Sequence, residues 1–179
     1  DYDNLLYMVA GELIPAVTGQ SWEDFVEKRI MQPLQMRPCA VNYSRIQDRG
    51  DVAAPHMVLA GKLTAIPVAN IETVGPAGTI NCSINGMSKW LMTQLASGKA
   101  PDGKQIFSAE RSGEMWTMNT ILPVDPEEGA QTGTHFEGYG LGWGLQDSFG
   151  RKRVSHTGGV PGSVTWVTMI PELNLGVLV

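Results

Sequence analysis

Six residues near the two ends of the chain carry the groups that acyl transfer needs around a carbonyl. Tyr2 and Asn4 stand at the start, and His156, Thr157, Gly158 and Gly159 run consecutively near the end. Such chemistry takes a nucleophile, a base for its proton, donors for the oxyanion and groups that hold the substrate, and the chain offers the last three. The Tyr2 phenol, with a reference pKa near 10, works as a base at neutral pH only where positive charge holds its anion or shares its proton. Asn4 can bond a peptide carbonyl. His156 can act as a neutral partner or as an imidazolium that binds a carboxylate, since its reference pKa of about 6.5 lies near working pH. Beyond Gly158 the backbone is bare, so the N–H of Gly159 can point into a cleft unobstructed.

The elements that position these groups follow from periodicity. Asp3 or Asn4 caps a helix with apolar residues at Leu5, Met8, Val9, Leu13, Ala16 and Val17, kinked by Pro15 and stopped at Thr18-Gly19. Ser21 caps a second helix with Glu23 and Asp24 in its first turn, closed before Pro33. From Arg37 to Ala77 the period is weak, with short strands expected around an Ala60-Gly61 turn, and so long an irregular stretch reads as a site wall. Ser83 opens a helix through Leu95, and Ser108 one through Met118. The acidic segment 123–134 reads as a mobile loop. Tyr139, Leu141, Trp143 and Leu145 then alternate with glycines as one strand, followed by strands near 151–156, 163–170 and 175–179, an antiparallel meander of four.

Composition excludes several classes. The 179 residues are 42% hydrophobic and 17% charged, ordinary for a globular domain with a sizeable core. Thirteen basic against eighteen acidic residues leave a net charge of −5 without long runs, which argues against nucleic acid as a partner. No apolar stretch reaches the roughly 20 residues of a membrane span. Cys39 and Cys82 lack metal-ligand spacing; two free buried thiols is the default reading, with a single disulfide as the alternative. The tryptophans and methionines read as core or cleft lining, and His56 and His135 as structural or solvent-facing.

In combination the motifs resemble the penicillin-recognising serine hydrolases, the superfamily of serine β-lactamases and D-alanyl-D-alanine carboxypeptidases. Tyr2-Asp3-Asn4 with Ala10-Gly11-Glu12 looks like the Tyr-x-Asn motif and following helix of the class C branch. His156-Thr157-Gly158 looks like its Lys-Thr-Gly strand motif in the His-Thr-Gly form, more similar to carboxypeptidases and D-specific peptidases than to efficient β-lactamases. Val52-Ala53-Ala54-Pro55-His56, Pro76-Ala77-Gly78, Tyr139-Gly140-Leu141-Gly142-Trp143 and Ile170-Pro171-Glu172 extend the resemblance over nearly the whole chain.

The resemblance implies an α+β fold of the β-lactamase/transpeptidase type, an antiparallel sheet packed with helices, with residues 1–36, 37–134 and 135–179 as successive parts of one partial domain. It implies Tyr2 as general base or proton relay, Asn4 as a contact to the substrate amide, His156 as the catalytic residue of the strand motif, and Gly159 as half of the oxyanion hole. Thr157 and Gly158 would bind substrate. No metal or cofactor is expected, and the placement implied is periplasmic or extracellular.

One departure bears on all of this. The family's nucleophile lies in Ser-x-x-Lys, upstream of Tyr-x-Asn, and no Ser-x-x-Lys occurs here; Ser148-Phe149-Gly150-Arg151 is the nearest imitation, with an arginine that cannot act as base. The chain is therefore expected to be the C-terminal part of a longer protein, inactive alone, with a sheet edge unpaired and apolar core exposed. The parent is expected to hydrolyse D-amino-acid peptides, amides, esters or β-lactams through an acyl-enzyme. An esterase of the same fold, or a non-catalytic module binding peptidoglycan-like peptides or a partner, is the alternative. Read alone, Asn4 is a plain helix cap and Thr157-Gly158-Gly159 a hairpin turn.

Overall fold

A computed structural model describes residues 2–179. The chain forms two compact units, Asp1–Met87 with Gly158–Val164, and Ser88–Thr157 with Thr165–Val179.

In the first unit, helix α1 (Asn4–Thr18) begins where the Asp3 side chain accepts from the Leu5 N–H and ends at Gly19, whose left-handed backbone places its N–H on the Pro15 carbonyl. Ser21 accepts from the Asp24 N–H to start α2 (Trp22–Val26), which runs on as a π-helical turn, Glu27–Met31. Strand β1 (Cys39–Ala40) follows, then the hairpin β2 (His56–Leu59) and β3 (Lys62–Ala65), turned at Ala60-Gly61. Helix α3 (Gly75–Gly78) packs on α1, where a Cβ on Gly11 would overlap the Pro76 ring. Strand β4 (Asn81–Cys82) pairs with β1 in antiparallel register, Cys39 opposite Cys82.

That register corrects the free-thiol reading. Cys39 and Cys82 form a disulfide, because pairing across the two short strands brings together residues 43 apart in sequence. Gly86 makes room for it: a Cβ there would overlap the Cys39 Sγ and lie 2.7 Å from that of Cys82.

Helix α4 (Ile84–Leu95) leads into the second unit, followed by α5 (Ala109–Met115), capped by Ser108 and shorter than the sequence suggests. Strand β5 (Thr120–Leu122) comes next. The segment read as a mobile loop contains helix α6 (Pro126–Thr132): Asp125 accepts from the Glu127 and Glu128 N–H groups, Pro126 occupies the first turn, and Gly133 closes the helix.

The expected single strand over 139–145 is two, β6 (Glu137–Tyr139) and β7 (Gly144–Ser148). Gly140 N–H bonds the Trp143 carbonyl at 2.8 Å, and Gly142 takes φ +79°, so the glycines build a tight turn instead of a bare strand face. Strands β8 (Arg151–Val160), β9 (Ser163–Ile170) and β10 (Leu175–Leu178) complete a six-stranded sheet in the order β10-β9-β8-β7-β6-β5. The four-strand meander thus gains β5 and a division of its first strand.

Leu91, Trp143, Leu145, Val154 and Met169 form the buried core of this unit, with Leu95, Met115, Trp116, Val167 and Leu178 against it. Elsewhere apolar surface faces outward. Leu5, Leu6, Val9, Leu13 and Val17 on α1 are each 60% exposed or more, and β10 lies at a sheet edge with Leu175 and Val177 exposed.

Candidate active site

Strand β8 places His156. Its partner β7 holds it through Gly144↔Ser155 and Leu145↔Val154, with Leu145 and Val154 fully buried. Two residues past that anchor His156 is half-buried, and Thr157, Gly158 and Gly159 follow it exposed on the same strand. The turn reading of these residues is not what forms: they are extended, and the chain reverses beyond Val160. A Cβ on Gly159 would meet no atom within 4 Å, so packing does not demand a glycine there.

The His156 ring meets Tyr139. Its Nε2 lies 2.9 Å from the Tyr139 hydroxyl, with the rings edge-on at 6.2 Å between centroids. Backbone pairing brings Tyr139, opposite Gly144 on β7, level with Ser155, the residue before His156. Reasoning from the sequence does not reach this partner; its signal is the tyrosine of Tyr139-Gly140-Leu141-Gly142-Trp143, beside glycines that draw the strand reading.

Tyr2 and Asn4 meet each other in the other unit. The Tyr2 hydroxyl donates to Asn4 Oδ1 at 2.9 Å. Asp3, not Asn4, is the helix cap, which gives the middle residue of Tyr-x-Asn a definite task. Partial burial, and then the neighbouring Tyr7 phenol, raise the Tyr2 pKa above its ordinary value of 10.0. Tyr2 is thus a protonated hydrogen-bond donor at neutral pH, and it becomes a base only beside a cation that reverses this shift.

The other histidines are tied locally and exposed. His56 Nδ1 donates to the Ala54 carbonyl at 2.8 Å. His135 Nδ1 lies 2.8 Å from Asp147, whose carboxylate also accepts the His135 and Phe136 N–H groups, each at 2.7 Å. The His135 side chain first, and then these backbone donors, hold the Asp147 pKa at about 2. Among the described residues no group of three or more His, Cys, Asp or Glu side chains is placed to hold a metal ion. Among the same residues no helix is long and apolar enough to cross a membrane.

Comparison with known proteins gives these motifs a family. The Beta-lactamase family model matches residues 1–179. The chain is 28% identical over 181 residues to the unguisins hydrolase ungD' of Aspergillus campestris, matching 99% of this chain and 32% of that protein. It is 26% identical over 168 residues to penicillin-binding protein 4 of Amycolatopsis lactamdurans, matching 92% of this chain and 42% of that protein. The chain thus spans well under half the length of these relatives. Among solved structures it resembles the octameric penicillin-binding protein homologue from Pyrococcus abyssi, with a TM-score of 0.82, 26% identity, and coverage of 99% of this chain and 37% of that one. The α+β architecture, with its antiparallel sheet, is that of the penicillin-binding proteins, and the chain belongs to the Beta-lactamase family of the serine β-lactamase/transpeptidase superfamily.

Proposed function

We propose that the protein is a serine hydrolase that works through an acyl-enzyme on D-amino-acid peptides, amides, small esters or β-lactams. The observation that carries this reading is the exposed strand segment Thr157-Gly158-Gly159 directly after the half-buried His156, with open space around Gly159. A bare backbone with room beside it admits the close approach of a ligand to the Gly159 N–H.

In this reading the serine oxygen attacks the substrate carbonyl, and its proton passes through Tyr2 and an adjacent lysine to the leaving group. The Gly159 N–H bonds the developing oxyanion, Asn4 holds the substrate amide, and Thr157, Gly158 and His156 hold the carboxylate or acyl end. Water then cleaves the ester. The serine and lysine belong to a Ser-x-x-Lys segment outside these 179 residues, so the chain alone is inactive. The name of the unguisins hydrolase supports hydrolysis. The Cys39–Cys82 disulfide supports a periplasmic or extracellular placement, since disulfides persist in oxidising compartments.

The test is intact-mass spectrometry after exposure to a fluorophosphonate probe, on the product of the full coding sequence and on the isolated chain. One adduct on the former and none on the latter is expected. Labelling of the isolated chain of 19.4 kDa, or of neither species, overturns the reading.

A further inference from the structure

We propose that Tyr139 is a positioning residue for His156, fixing both the plane of its imidazole and the nitrogen that carries its proton. This rests on the functional reading above only for its kinetic consequence.

The Tyr139 hydroxyl and His156 Nε2 are 2.9 Å apart, and the rings meet edge-on at an interplanar angle of 61°. A phenol is a far stronger acid than a neutral imidazole N–H, so it donates to a neutral histidine. Nε2 therefore accepts from Tyr139, and the ring proton resides on Nδ1. In water the opposite tautomer is the more populated, and the partner of one ring nitrogen decides the state of the other. When the imidazole is protonated, Nε2–H donates instead and the phenol proton rotates away. The bond survives in both charge states, so the ring keeps its place whether it meets a neutral carbonyl or a carboxylate.

The hydroxyl is held there by the sheet. Tyr139 pairs with Thr120 on β5 and with Gly144 on β7, and its carbonyl accepts from the Asn119 N–H at 2.9 Å. Gly144 pairs in turn with Ser155, the residue before His156. The ladders fix the Tyr139 backbone at the level of Ser155, one residue from His156, and from the end of β6 its hydroxyl reaches the imidazole; a group on a fixed backbone loses little freedom in orienting another.

The experiment is 15N NMR of histidine-labelled protein, expressed from the full coding sequence, at a pH where the ring is neutral. His156→Gln identifies the signal. A pyridine-like Nε2 and pyrrole-like Nδ1 are expected in the wild type, reversed or averaged in Tyr139→Phe, which retains the ring. Alongside, Tyr139→Phe should lower kcat/KM about tenfold for a carboxylate-bearing substrate and less for a neutral ester. A pyrrole-like Nε2 in the wild type overturns the proposal, and so does an unchanged tautomer in a folded Tyr139→Phe. The wild-type shifts decide the matter even where the variant misfolds. If the tautomer behaves as expected while the wild type hydrolyses neither substrate, the functional reading fails and the positioning role stands.

Discussion

The Tyr2 hydroxyl donates to Asn4 Oδ1 at 2.9 Å across a single residue, Asp3, whose own carboxylate caps helix α1. The motif is therefore a small assembly: Asp3 sets where the helix begins, and that start places Asn4 where Tyr2 reaches it.

Asp3→Ala should remove the cap and lower stability by about 1 kcal/mol, whereas Asp3→Ser, another good cap, should cost little. Thermal melts of the two variants separate the cap from the charge. Equal losses would mean that the carboxylate acts through something other than the Leu5 N–H.

Gly159→Val should separate folding from function. With no atom within 4 Å of the added Cβ, the melting temperature should stay within about 2 °C of wild type, since surface changes away from special features cost little. Substrate turnover should fall roughly tenfold or more, because the isopropyl group would crowd the approach of the substrate oxygen to the retained N–H. Full activity in this variant would remove the strand backbone from the site.

His156→Ala should impair carboxylate-bearing substrates more than neutral esters, measured as kcat/KM on a D-Ala-D-Ala peptide and a short acyl ester. Loss of a charged hydrogen bond is worth roughly tenfold or more. The same loss on both substrates would argue against a carboxylate-binding role.

Asp147 makes stability depend on pH in the acid range. Its folded pKa of about 2 lies below the ordinary 3.8, so the folded state binds its proton less readily than the unfolded chain does. The stabilisation is complete above about pH 5, declines as pH falls towards 2, and is absent below both values. The stability difference between wild type and Asp147→Asn should shrink over that window in denaturant titrations. A difference independent of pH from 2 to 6 would show that the His135 side chain and the two backbone donors do not stabilise the ionised form.

The disulfide should matter for the first unit. Replacing Cys39 and Cys82 together by alanine should lower stability by about 2–4 kcal/mol, because the bridge closes a long loop in the unfolded chain. Denaturant unfolding measures this, and an unchanged midpoint would mean that the two-stranded β1–β4 pairing holds the loop without it.

What the sequence determined by itself was local or carried by ordered motifs. Asp3, Gly19 and Ser21 cap and stop helices through bonds to residues at most four positions away, so their roles were legible from neighbours alone. The family was legible for a related reason, since Tyr2-x-Asn4 and His156-Thr157-Gly158 are short motifs in a fixed order. Helix α6 is legible too, in Asp125-Pro126-Glu127-Glu128, although the acidity and glycines of the segment also fit a loop. Tertiary structure alone decided the rest. The glycines at 140 and 142 look like a strand face until Gly140 is seen against the end of α5, where a Cβ would overlap the Met115 carbonyl. The Cys39–Cys82 bridge joins residues 43 apart, and the Tyr139–His156 bond crosses 17 residues and three strands. Contacts of that kind depend on register, and register is set by which side chains a whole sheet can bury at once.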